Sequence, residues 1–97
     1  VIPAGERWPD GTLRPSFEDM VGAGAIVSYL RGRRSPEANA ARSAFEGAKQ
    51  DLKSLLLGCS SGKELIERGY KQDVSLAAEL NVSDCVPTLQ NGTYTAK

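Results

Sequence analysis

The stretch Met20-Val21-Gly22-Ala23-Gly24-Ala25-Ile26-Val27-Ser28-Tyr29-Leu30 constrains the fold of this 97-residue chain more than any other. It carries no charge, and the four side chains from Gly22 to Ala25 are no larger than a methyl group. A helix with so little bulk at its centre predicts burial on most sides, with another backbone very close. A lone three-helix bundle rarely needs such a helix. Its eleven residues also fall short of the roughly 20 a membrane span requires. No charged leader with an apolar core precedes it, so no membrane association and a cytoplasmic location are expected.

The ends of the helices are marked by residue chemistry. Ser16 is placed to cap the first helix, with Asp19 three residues on completing a capping box, so that helix is expected to start near Phe17. Arg31-Gly32-Arg33-Arg34 ends it, and Ser35-Pro36-Glu37 supplies a cap, a proline at the first helical position and an acid in the first turn. Ala41, Phe45, Ala48, Leu52 and Leu55 then recur at helical spacing, which predicts one amphipathic helix from Pro36 to about Leu57, stopped by Gly58. Ser60-Ser61-Gly62-Lys63-Glu64 opens a third helix, in which Ser61 and Glu64 have capping-box spacing and Gly69 is the stop. A fourth is expected from Lys71 to Leu80.

Strand signals sit at the two ends. Val1-Ile2-Pro3-Ala4 reads as the end of a strand opening into a loop at Gly5. Val86-Pro87-Thr88-Leu89 and Thr93-Tyr94-Thr95 flank Asn91-Gly92, the pair suited to a two-residue hairpin turn. The fold class expected is α/β, mostly helical, with a short N-terminal strand and a C-terminal β-hairpin. The abrupt apolar opening suggests the C-terminal part of a larger layered enzyme, with residues 1–97 as a single portion.

Twelve Lys plus Arg balance twelve Asp plus Glu, which leaves no net field to hold a polyanion, and nucleic acid is not expected as a partner. Cys59 and Cys85 lack metal-ligand spacing and the chain has no His, so both are expected as reduced, structural thiols. Without His, no His-based nucleophilic triad can be built. Carboxylates, a metal and anion-binding groups remain.

The loop from Ala4 to Asp19 concentrates such groups. Glu18 and Asp19, at a loop-to-helix junction, can hold a hard cation such as Mg²⁺, or can serve only as helix-start acids. Adjacent helical residues diverge by about 100°, so both can reach one ion only with help. Glu6, Arg7, Asp10 and Arg14 enrich the same loop, where an Arg fork suits phosphate or sulfonate. Ser60, Ser61, Gly62 and Lys63 offer hydroxyls, amides and a cation to an anion, or simply begin a helix.

Val1 to Gly11, Leu13-Arg14-Pro15 and Glu18-Asp19-x-x-Gly22-Ala23-Gly24 together resemble the C-terminal half of 2-phosphosulfolactate phosphatases. The resemblance continues through Ser60-Ser61-Gly62-Lys63-Glu64-Leu65, Gly69, Asp73-Val74, Ala77-Ala78-Glu79-Leu80, Val82-Ser83-Asp84, Val86-Pro87 and Asn91-Gly92. It implies a Mg²⁺-dependent hydrolase that removes phosphate from 2-phospho-3-sulfolactate, a step toward coenzyme M or 3-sulfolactate. Glu18 and Asp19 match the acidic pair and are assigned catalytic and metal-binding roles. Arg14, Ser60, Ser61, Gly62 and Lys63 are the expected contacts for a small phosphorylated and sulfonated acid. The partner implied is a missing N-terminal half or another subunit. The alternative is a helical interaction module, or an inactive family member, that docks on a partner chain.

Overall fold

The computed structural model describes residues 1–96. Its centre is the contact between α1 (Phe17–Tyr29) and α2 (Pro36–Ala48). The approach is as close as the small residues of α1 require, since a Cβ added to Gly24 would stand 2.0 Å from the carbonyl oxygen of Ala41. Gly22, by contrast, faces open space. The expectation of a helix buried on most sides is therefore corrected. Val21, Ala23, Gly24 and Val27 are buried, while Met20, Ile26 and Tyr29 are exposed.

The single helix expected from Pro36 to Leu57 is two. After Ala48 the chain turns through Lys49, Gln50 and Asp51, the Asp51 N–H donating to the Ala48 carbonyl at 3.0 Å, and α3 (Leu52–Gly58) begins. The apolar positions stay in step across this turn, so periodicity alone does not reveal it. The new start lets α3 pack on α4 (Ser60–Glu67) and α5 (Lys71–Ala77) instead of extending α2. Leu52 and Leu56 thereby join Val21, Phe45, Ala48 and Val74 in one core.

The start of α4 also differs from the capping box expected at Ser61. Cys59 is the N-cap, its Sγ accepting the Gly62 N–H at 3.4 Å. Gly69 ends the helix as expected, at φ +88°. The Tyr70 N–H donates to the Leu65 carbonyl and the Gly69 N–H to that of Ile66, the paired bonds that close a helix on a left-handed residue. The last helix stops at Ala77, short of the expected Leu80.

Val1–Ala4 forms no strand. An apolar tetrapeptide becomes a strand only beside another, and no strand among the described residues pairs with it. The N-terminal pair is instead β1 (Glu6–Arg7) with β2 (Leu13–Arg14), antiparallel, Glu6 opposite Arg14. Its tip is held by Asp10, whose carboxylate accepts the Thr12 N–H and hydroxyl, and by Arg7, which donates to the Gly11 carbonyl. The second pair is the hairpin foreseen at Asn91-Gly92: β3 (Pro87–Gln90) and β4 (Thr93–Ala96) flank a turn with φ of 50° and 80°. The architecture is mixed α/β, with five helices and two antiparallel strand pairs among the described residues.

Candidate functional site

The N-terminal hairpin delivers Arg14 to the wall of a cleft of about 1000 Å³ between α1, α2 and the α3–α4 junction. Arg14 is 9% exposed, unusual for a residue of this type. Its Nη1 donates to Glu64 Oε1 at 2.9 Å and its Nη2 to Ser61 Oγ at 3.3 Å. The guanidinium carbon lies 5.1 Å from the centre of the Trp8 ring, within reach of a cation–π attraction. Nε is buried with no acceptor among the described residues.

Glu18 and Asp19 line the same cleft, both half-buried at the start of α1. Asp19 does not form the capping box expected with Ser16. Its Oδ2 accepts the Ser16 hydroxyl at 2.7 Å and the Gly5 N–H at 2.8 Å, which ties the loop to the helix. Burial pushes the Glu18 carboxyl up, but hydrogen bonding from Ser61 and from its own N–H outweighs burial, and the group lies below its ordinary value of 4.5. The Cys59 thiol reaches toward Glu18 Oε2 at 3.8 Å and donates to the Leu56 carbonyl at 3.2 Å. Both cysteines are free.

Of the residues expected at the substrate, Ser60 lines the cleft and Ser61 bonds Arg14. Gly62 is buried with its N–H on Cys59, and a Cβ there would meet the Leu56 carbonyl oxygen at 1.8 Å, so its smallness serves the α3–α4 contact. Lys63 is exposed and does not line the cleft. Arg7 and Asp10 are engaged at the hairpin tip. Sequence reasoning missed Trp8, Cys59 and Glu64. The one Trp of the chain lies in the loop that carries Arg7 and Arg14, which was a usable signal, whereas Glu64 was hidden by its capping-box spacing.

The fit to a divalent cation can be judged from these contacts. No group of three or more Asp, Glu, Cys or His side chains is gathered among the described residues. Mg²⁺ commonly takes only one or two protein carboxylates, with water and substrate phosphate completing its shell. Glu18 and Asp19 border one cleft, and Oδ1 of Asp19 makes no hydrogen bond among the described residues, so the pair fits that kind of half-shell.

No helix among the described residues is long and apolar enough to cross a membrane. The family model of 2-phosphosulpholactate phosphatase matches residues 8–92. A 2-phosphosulfolactate phosphatase of Methanocaldococcus jannaschii is 35% identical over 93 residues, covering 89% of this chain and 40% of the relative. A probable 2-phosphosulfolactate phosphatase of Gloeobacter violaceus is 38% identical over 72 residues, 74% of this chain and 30% of the relative. One from Carboxydothermus hydrogenoformans is 38% identical over 89 residues, 87% of this chain and 37% of the relative. The chain thus spans between three and four tenths of the length of these relatives. No solved structure matches it. With the match running from Trp8 to Gly92 in the hairpin turn, the chain belongs to the 2-phosphosulfolactate phosphatase family.

Proposed function

We propose that the cleft is one wall of a phosphatase site that hydrolyses 2-phospho-3-sulfolactate to 3-sulfolactate and phosphate. The observation that carries this reading is the gathering of a buried Arg14 and the Glu18–Asp19 pair around one cleft in a chain of this family. A phosphomonoester brings two negative charges, and a guanidinium with N–H groups left over can take its oxygens in a planar fork. Two of the five Arg14 N–H groups are engaged by Glu64 and Ser61, which leaves others for an anion. Ser60, at the start of α4, adds a hydroxyl to the same cleft.

Glu18 and Asp19 would hold Mg²⁺, which when bound neutralises phosphate charge. Keeping Glu18 ionised is the contribution of Ser61, and the Gly5 and Ser16 bonds keep Asp19 in place. In the reaction a water oxygen bonds to phosphorus while the ester P–O bond breaks, and the departing oxygen ends as the hydroxyl of sulfolactate. The apolar remainder of the wall, with Phe17, Ala40 and Leu55, limits competing water.

The test is phosphate release from 2-phosphosulfolactate, measured on the longest polypeptide that contains this chain, at graded Mg²⁺. Arg14→Lys keeps the charge but loses the fork, and the expected result is a KM raised by about tenfold. An unchanged KM removes Arg14 from the substrate contacts.

A further inference from the structure

Glu64 lies fifty residues from Arg14 in sequence, yet it makes the shortest contact to the guanidinium, at 2.9 Å. The Glu64 side chain is 46% exposed, and an ion pair with one partner so open to water adds little to stability. What the contact does fix is direction. Glu64 and Ser61 take the terminal nitrogens from the α4 side, and Trp8 stands at the ring distance already given. Arg side chains are otherwise long and free to rotate, so three contacts from two elements hold one guanidinium in a single orientation. Nε, buried without an acceptor among the described residues, shows that this hold does not use up the donor set.

We infer that Glu64 is a positioning residue: through its bond to Arg14 it presents the remaining N–H groups of the guanidinium to an oxyanion in the cleft. This rests on the phosphate-binding reading above and adds to it a residue outside the cleft wall. The same contact has an opposite reading, in which a carboxylate on a guanidinium merely competes with an incoming anion. The two predict opposite signs. If Glu64 competes, removing it tightens anion binding; if it positions, removing it loosens binding.

Trp8, the one Trp of the chain, reports on Arg14 directly. Inorganic phosphate is titrated into the longest polypeptide that contains this chain, its binding read from the Trp8 indole N–H and Arg14 Nε–H resonances. Glu64→Ala is expected to weaken phosphate binding by about tenfold, the loss typical of one hydrogen bond to a charged group. Glu64→Gln keeps the acceptor oxygen without the charge and is expected to bind at least as tightly as the original. Far-UV circular dichroism of each variant checks that α4 still forms. If Glu64→Ala has misfolded, Glu64→Asp, which keeps the charge but withdraws the carboxylate from Arg14, decides alone. Phosphate binding weakened in that variant upholds the positioning role, and binding that is kept or tightened overturns it. Equal or tighter binding in a folded Glu64→Ala variant overturns the inference and leaves the phosphate site standing. No phosphate response in the original chain removes the site itself, and the inference with it.

Discussion

Gly62 and Glu18 show how single side chains shape the cleft. Gly62 allows the backbones of α3 and α4 to meet, and the Cβ of an Ala there would collide with the Leu56 carbonyl oxygen. Gly62→Ala is expected to destabilise the chain by about 1–3 kcal/mol, read as a lower urea midpoint with an unchanged slope. Glu18 gives a pH prediction. Its carboxyl lies below 4.5 in the folded chain, so ionisation favours folding. The stabilisation is complete above the unfolded value and fades as pH falls through the lower folded one. Glu18→Gln should therefore lose less stability than the original between about pH 6 and about pH 3, measured by urea unfolding, and an identical acid loss would contradict the contacts assigned to this carboxylate. Arg14 was legible as a candidate for anion binding because a charged loop opening into a helix is readable locally. Its partner Glu64 and the reach of Cys59 to Glu18 were not, since contacts across 50 and 41 residues leave no spacing to read.

Local chemistry located most elements, but not their breaks. Ser35-Pro36, Gly69 and Asn91-Gly92 mark a helix start, a helix end and a turn, and each sits where its backbone preference places it. The turn after Ala48 and the lone Val1–Ala4 segment depend on what lies beside them, and sequence periodicity is blind to neighbours. Gly69 provides the test at this scale. At φ +88° a side chain is strained, so Gly69→Ala is expected to cost about 1 kcal/mol and to fray the end of α4. Faster amide exchange at Gly69 and Tyr70, whose N–H groups close the helix, would register it.

The molecule as a whole has a thin core and an open surface. No side chain among the described residues is completely buried, and Ile2, Leu13, Tyr29 and Leu76 are each more than 60% exposed. Its radius of gyration, 14.9 Å, exceeds the roughly 12 to 13 Å of a compact domain of this size. With no net charge to keep copies apart, the 97-residue chain is expected to bind the dye ANS at neutral pH. The absence of any dye response would mean that these apolar groups are covered in solution. The central claim, that Arg14, Glu18 and Asp19 form one site for a cation and a phosphate, is tested most directly by paramagnetic broadening with Mn²⁺ in place of Mg²⁺ and inorganic phosphate present. The account predicts selective loss of the resonances of Gly5, Arg14, Glu18, Asp19 and Ser60, and recovery of those signals in Glu18→Gln. Broadening confined to other acidic surfaces, with these five resonances untouched, would contradict it.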